Sequence, residues 1–168
     1  KTRYIGVSNY NAEQMAVALQ TARIQSNQPR YNMFDRGIET EDIPFCRREG
    51  IGILAHSSLA KGLLTGAYRP GHVFPAHDER SRFPRFQGDA FAGYLAVAER
   101  LKSLAGDKGL TLVQLAIAWV LRVPALTCAL VGAKSPDQVE EHLGAVGVSF
   151  SEDELAYVDD CLADAPHE

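Results

Sequence analysis

Ile51-Gly52-Ile53-Leu54-Ala55-His56-Ser57 is the stretch that decides how this chain folds. Its first five residues are a short apolar run bounded by polar and turn-forming residues, the pattern of a strand buried on both faces. Upstream, helix signals run from Thr40 to Glu49, and Gly50 stands where a helix C′ residue is needed. Earlier still, Tyr4-Ile5-Gly6-Val7-Ser8 reads as another buried strand, and Ile24 to Gln28 as a third that Pro29 should stop. Between those two, Asn11 with Gln14 forms a capping-box signal, and Met15, Val17, Ala18 and Leu19 supply an apolar helix face. Four short strands alternating with helices, the last strand being Thr127 to Val131, specify an α/β fold with a parallel sheet.

Downstream of the opening stretch, residues 57–88 are rich in Gly, Pro and Arg and far longer than an ordinary connection, which suggests a binding lid or a disordered segment. Within it, Glu79-Arg80-Ser81-Arg82-Phe83-Pro84-Arg85-Phe86 interleaves arginine with aromatics; a mobile flap is the preferred reading and an ordinary solvated loop its main alternative, the acidic chain arguing against a nucleic-acid patch. A helix is expected over Ala90 to Ala105. Another is capped by Thr111 with Gln114, and its Leu112, Leu115, Ala116, Trp119 and Val120 face a core. Ser135, Pro136 and Gln138 open the next helix with three agreeing signals. Ser151 with Glu154 caps a C-terminal helix over about 151–163, and the tail from Asp164 to Glu168 is expected to fray.

The 168 residues are 46% hydrophobic and 23% charged, with a formal net charge of −4, the balance of a globular chain without a field for nucleic acid or an anionic surface. No apolar run approaches the roughly 20 residues a membrane span needs, so no membrane partner is expected. No signal-peptide pattern opens the chain, and a start at Lys1 without Met leaves room for a preceding segment. Cys46, Cys128 and Cys161 show neither metal-ligand spacing nor a disulfide framework; Cys128, in an apolar run, reads as a small buried thiol. A reducing, cytoplasmic setting is the expectation.

In parallel α/β folds, function gathers beyond the carboxyl ends of the strands. Those positions here are Ser8-Asn9, Asn27-Gln28, His56-Ser57 and Gly132-Ala133-Lys134-Ser135. They offer neutral amides, hydroxyls and an imidazole, and no carboxylate. Such a set can hold a ligand by hydrogen bonds and stacking but presents no nucleophile–base pair. The bland alternatives are an ordinary turn at Ser8-Asn9, a core-edge histidine at position 56 and a simple helix cap at Lys134-Ser135.

Five motifs in order carry a resemblance: Gly6-Val7-Ser8-Asn9-Tyr10; Asn27-Gln28-Pro29-Arg30-Tyr31-Asn32; Gly52 through Leu59 continuing to Lys61-Gly62-Leu63-Leu64-Thr65-Gly66; Leu115 through Leu121; and Val131-Gly132-Ala133-Lys134-Ser135-Pro136-Asp137-Gln138. Together they resemble the aldo-keto reductase family over essentially the whole chain, closest to the branch of bacterial oxidoreductases and potassium-channel β-subunits. The resemblance implies that residues 1–168 are the carboxyl-terminal half, units five to eight, of a (β/α)₈ TIM barrel with parallel strands and outer helices. It further implies NADPH as cofactor, with NADH not excluded, and a small carbonyl compound as substrate of the complete enzyme.

By the same resemblance, Ser8, Asn9 and Gln28 would bond the nicotinamide carboxamide, and His56 stands where the family has a stacking Tyr or Trp. Ser57, Leu59, Gly62 and Leu64 would follow the pyrophosphate, and Gly132 would be a further cofactor contact. Lys134 and Ser135 would meet the 2′-phosphate, a placement that a helix start with a free dipole end supports on its own. Gln138 replaces the Arg of many relatives, Glu141 would lie near the adenine amino group, and His142 replaces the family's Asn in the adenine pocket. The family's catalytic Asp, Tyr, Lys and His lie on the first four units, so no catalytic residue is assigned. Three explanations stay open: a part of a full enzyme, a half-barrel that pairs with a missing N-terminal half or a second copy, and a fragment without function. A non-catalytic half-barrel binding nucleotide or a partner chain is the alternative to carbonyl reduction.

Overall fold

The computed structural model describes residues 1–166, so the last two residues of the expected frayed tail lie outside the described residues. Two compact units make up the chain, Lys1–Ser58 with Trp119–Gly132 and Leu59–Ala118 with Ala133–Glu168.

In the first unit the apolar runs become parallel strands β1 (Gly6–Ser8), β2 (Ser26–Gln28), β3 (Gly52–Ala55) and β4 (Leu126–Ala129), hydrogen-bonded in the order β1-β2-β3-β4. Helices α1 (Ala12–Leu19) and α2 (Asp42–Glu49) link the first three strands. The observed architecture is a parallel-strand α/β fold, as the alternation of runs requires.

Each strand is shorter than the run that announced it. Ile5 shows the cause at one end: its N–H donates to Gln25 Oε1 at 2.8 Å, although its carbonyl still accepts the Gln25 N–H. Tyr4 and Ile5 are 74% and 41% exposed, so that run begins outside the buried sheet. Pro29 ends β2 as its missing N–H demands. Its carbonyl nevertheless accepts the His56 N–H, and the Tyr31 N–H donates to the His56 carbonyl, so pairing resumes as an Arg30–His56 bridge. β4 stops at Ala129, before the expected Val131. It is an outer strand, and for that reason Cys128 is half-buried where its apolar run suggested full burial.

Met15, Ile24, Phe45, Cys46, Ile51 and Ile53 form the core cluster beneath these strands. Burying one such side chain contributes about 1.5–3 kcal/mol. The expected capping box at α1 is present, with Asn11 and Gln14 bonded reciprocally. Val17, counted on the apolar face, is 60% exposed, because two positions beyond the buried Met15 is nearly the opposite side of a helix. α2 starts at Asp42, later than Thr40, with Glu41 as an N-cap residue that makes no side-chain cap bond, and it ends on Gly50 in the left-handed region at φ +63°.

The second unit is built on α3 (Gly88–Asp107), which packs against α6 (Glu152–Ala163). α3 buries Phe91, Tyr94, Val97, Ala98, Leu101, Leu104 and Ala105, one stripe at helical spacing, and overruns the expected 90–105 at both ends. α4 (Leu112–Leu121) begins in this unit with Thr111 and Gln114 capping reciprocally. Its Leu112, Leu115, Ala116, Trp119 and Val120 are all buried, as periodicity required. Ser151 and Glu154 form the expected capping box of α6, whereas α5 (Pro136–Leu143) buries none of its residues.

Residues 57–88 are folded to a degree their composition concealed. Short 3₁₀ turns occupy Ala60–Thr65, Glu79–Arg82 and Pro84–Phe86. Tyr68, His72, Phe74, Phe86 and Phe91 pack ring to ring, with the Arg80 guanidinium 4.7 Å from the Phe74 ring centre. Arg80 also pairs with Asp78, and Arg85 is buried against Tyr94, so both arginines serve local packing. No single helix among the described residues is long and apolar enough to cross a membrane.

Candidate functional site

In the first unit, strand register gathers the carboxyl ends. Ser8 lies opposite Gln28, and Arg30 bridges to His56. Around that edge the side chains bond in series. Ser8 Oγ donates to the Gln28 carbonyl at 2.9 Å, and Asn9 Nδ2 reaches Ser8 Oγ at 3.4 Å. Asn9 Oδ1 accepts the Arg30 N–H at 3.3 Å and lies 3.0 Å from His56 Nε2, while His56 Nδ1 lies 3.0 Å from Ser57 Oγ. Thus Ser8, Asn9, Gln28, His56 and Ser57 form one connected group. Ser8 and Asn9 are exposed and the other three half-buried.

Asn9 and Ser57 hold φ of +55° and +58°, in the left-handed region that non-glycine residues seldom enter. Asn tolerates it best; Ser57 does so less readily. The conformations are sustained by bonds from buried residues, of which the sequence placed Asn27 at a strand end without a role and did not single out Asn32 or Ser58 as site residues. Asn32, fully buried, donates to the Ser57 carbonyl at 3.0 Å and to Asp35, and its oxygen accepts the Phe34 and Asp35 N–H groups. Asn27, also fully buried, donates to the Tyr10 carbonyl at 2.8 Å just beyond Asn9. The single Ser58 hydroxyl proton is shared between the Ala55 carbonyl at 3.1 Å and the Leu130 carbonyl at 3.3 Å, tying β3 to the residue after β4. A sequence cannot separate an amide that grips backbone from one offered to a ligand; burial does.

Gly132, exposed, has no atom within 4 Å of where a Cβ would stand, so nothing around it requires glycine. In the second unit, the Leu59 carbonyl accepts the N–H groups of Gly62 at 2.9 Å and Leu64 at 3.3 Å, so those two amides bond within the turn. The Leu64 side chain is fully buried. Gly62 at φ +102° is closely approached by Tyr68, whose hydroxyl would lie 2.6 Å from an added Cβ. At the start of α5, Ser135 Oγ accepts the Gln138 N–H at 3.4 Å, and Gln138 Oε1 accepts the Lys134 N–H at 2.7 Å. Lys134, Ser135 and Gln138 are exposed; Glu141 and His142 are half-buried, and the Glu141 carbonyl accepts from Gln114 at 3.0 Å.

The electrostatics of the remaining groups serve packing. Tyr31 stacks on Trp119 with ring centres 5.4 Å apart, and Arg122 lies 3.6 Å over the Trp119 ring. Burial first, and the bond to Glu39 second, push the Tyr31 phenol above the usual tyrosine range against the opposing pull of Arg122. The Tyr68 phenol is raised mainly by burial, and that of Tyr157 mainly by its bond with Cys161. None of these three is tuned toward proton donation near neutrality. Burial alone would raise the Glu39 carboxyl, but hydrogen bonds from Arg36 and Tyr31 outweigh it and hold it low. Among the described residues no group of three or more His, Cys, Asp or Glu could hold a metal ion. An open cleft of about 450 Å³ in the second unit is lined by Tyr68, Pro70, Ala92, Leu95 and Ala96 among others, and by none of the strand-end or α5 residues.

A profile of the Aldo/keto reductase family matches residues 1–163. Aldo-keto reductase YhdN of Bacillus subtilis is 38% identical over 141 residues, which are 83% of this chain and 43% of that protein. The NADH-specific methylglyoxal reductase of Escherichia coli is 32% identical over 156 residues, 90% of this chain and 46% of its own length. The solved structure of a glycerol dehydrogenase from Gluconobacter oxydans superimposes with a TM-score of 0.91 at 36% identity, covering 99% of this chain and 51% of that one. The chain therefore spans about half the length of the relatives it matches. A parallel α/β sheet with this strand-end set, a family profile running nearly end to end and relatives above 30% identity lead to one assignment: the chain belongs to the aldo/keto reductase family.

Proposed function

We propose that this chain supplies most of the nicotinamide-dinucleotide site of an aldo-keto reductase barrel, as its units five to eight, and that the complete protein interconverts carbonyl compounds and alcohols. The observation that carries the reading is the bonded group Ser8-Asn9-Gln28-His56-Ser57 at the strand ends. Its exposed members are neutral, with an amide and a hydroxyl side by side, a donor set that suits a carboxamide on an aromatic ring. When bound, the dihydronicotinamide supplies hydride to a carbonyl carbon. Ser8, Asn9 and Gln28 would hold its carboxamide, and Ser57, Leu59, Gly62, Leu64 and Gly132 would line the pyrophosphate, Gly62 and Leu64 by shape because their N–H groups bond to the Leu59 carbonyl. Lys134 and Ser135 would take the 2′-phosphate of NADPH, with Gln138, Glu141 and His142 toward adenosine.

The neutral Gln138 leaves Lys134 as the cation in that short stretch, so NADH is also accepted in this reading. The likeness to an NADH-specific relative supports keeping both dinucleotides. A second reading, nucleotide binding without turnover by this chain, is favoured by the raised phenols of Tyr31, Tyr68 and Tyr157. Titration of the full chain with NADPH and NADH, followed by nucleotide fluorescence, tests the site. Saturable binding is expected, and Lys134→Ala should weaken NADPH about tenfold while leaving NADH nearly unchanged. Equal loss for both dinucleotides refutes the 2′-phosphate assignment, and no binding of either refutes the reading.

A further inference from the structure

We propose that His56 is a positioning residue: by holding Asn9 in the orientation that the Arg30 N–H sets, it keeps in place which atoms of the strand-end group donate and which accept, so that the group selects a primary carboxamide in one orientation. This rests on the cofactor reading above and adds to it a role for the imidazole other than stacking.

A backbone donor starts the chain of assignments. The Arg30 N–H can only donate, and it meets the Asn9 side chain at 3.3 Å, so the atom there is the amide oxygen. His56 Nε2 lies 3.0 Å from that same oxygen and must carry the ring proton. In the neutral ring Nδ1 is then bare, and the Ser57 hydroxyl 3.0 Å away donates to it. Ser8 is settled in the same manner. Its hydroxyl faces the Gln28 carbonyl at 2.9 Å, which only accepts, so its single proton is committed there and Oγ has only lone pairs left.

The Asn9 oxygen is thus used twice, and its nitrogen is engaged by Ser8 Oγ only at 3.4 Å. What the two exposed residues present to a ligand is an N–H from Asn9 beside a lone pair from Ser8. The complement is an acceptor beside a donor, as in a primary amide. Neither an acetyl group nor a carboxylate brings a donor: the first leaves Ser8 Oγ facing a methyl group and the second leaves it facing an oxygen. Without His56, Asn9 keeps only two long contacts, Arg30 N–H to Oδ1 at 3.3 Å and Nδ2 to Ser8 Oγ at 3.4 Å, so the amide is held loosely and the distinction weakens. A tyrosine or tryptophan ring at position 56 could stack but would not offer this in-plane pair of bonds.

Two measurements on the full chain test the proposal. Nitrogen NMR of the neutral His56 ring should show the Nε2–H tautomer; the Nδ1–H tautomer overturns the assignment. Binding of NADPH against its 3-acetylpyridine analogue should favour NADPH about tenfold. His56→Phe should bring that ratio within about twofold, and His56→Gln, which can still donate to Asn9, should restore most of it. An unchanged ratio in a folded His56→Phe variant overturns the positioning role while leaving the cofactor site intact. If neither nucleotide binds while the Nε2–H tautomer is found, the cofactor reading falls and the bond polarity stands. Should His56→Phe fail to fold, the tautomer and the His56→Gln ratio still decide.

Discussion

Gly62→Ala isolates a constraint that residues 57–88 place on themselves. Gly62 has φ +102° and ψ −5°, outside the regions open to alanine, and holding alanine there costs about 1–3 kcal/mol. The added methyl would meet Tyr68 at 2.6 Å from its hydroxyl and 3.1–3.2 Å from ring carbons Cε2 and Cζ. Tyr68 is not free to swing: its hydroxyl accepts from Arg80, and its ring packs on His72 and Phe74 at 4.9 and 5.1 Å. Forcing it aside resembles overpacking a core, about 1–3 kcal/mol more. Gly66→Ala is the control, with φ +70° and only Leu112 Cδ2 at an ordinary 3.9 Å; it should cost about 1–2 kcal/mol. Urea unfolding followed by circular dichroism should therefore rank Gly62→Ala below Gly66→Ala by about 1–4 kcal/mol. In a Tyr68→Leu background the excess should shrink toward backbone strain alone. Equal costs for the two glycines, within about 0.5 kcal/mol, would refute the contact argument.

Asn32→Leu should destabilise the chain by about 2–4 kcal/mol, because four bonds of a fully buried amide are lost, to the Ser57 carbonyl, the Asp35 carboxylate and the Phe34 and Asp35 N–H groups, the last keeping its bond to the Asn32 carbonyl; a shift below about 0.5 kcal/mol in urea unfolding counts against this. Thiol titration of the folded chain with a coloured disulfide should modify Cys128 well before Cys46 and Cys161. Burial, with Asp42 nearby, pushes the Cys46 thiol up to about 11, and burial also raises that of Cys161, whereas Cys128 is half-buried on an outer strand. The Glu39 carboxyl is held below its ordinary value of 4.5, so its contribution is full above that pH and is lost as pH falls through the lower folded value. Stability measured from pH 6 downward should therefore drop more steeply for the parent chain than for Glu39→Gln, and parallel curves would contradict the assignment.

How far the sequence reached can be judged from particular residues. Apolar runs around Gly6–Ser8, Gly52–Ala55 and Leu126–Ala129 disclosed a parallel α/β chain by their shortness and their alternation with helices, although of these three β3 alone buries residues, and β1, expected as a buried strand, and β4 bury none. The caps at Asn11, Thr111, Ser135 and Ser151 were legible because a cap is a contact between residues three apart. Strand ends were not, since Gln25 capturing the Ile5 amide depends on which segment lies alongside. The packing of residues 57–88 escaped for the same reason: its Gly, Pro and Arg content is that of a loop, and the Tyr68–Phe74–Phe91 cluster closes only in three dimensions.

At the candidate site the division is equally physical. Motif order named Ser8, Asn9, Gln28, His56 and Ser57 as a set, and the local chemistry of neutral donors suggested a ligand. Only the tertiary structure separated Asn27 and Asn32, buried and spent on backbone, from Asn9, exposed beside Ser8. Only it could fix the polarity of the group, because that polarity follows from an Arg30 N–H and a Gln28 carbonyl. Every backbone carries both groups, and the parallel register alone decides where they point.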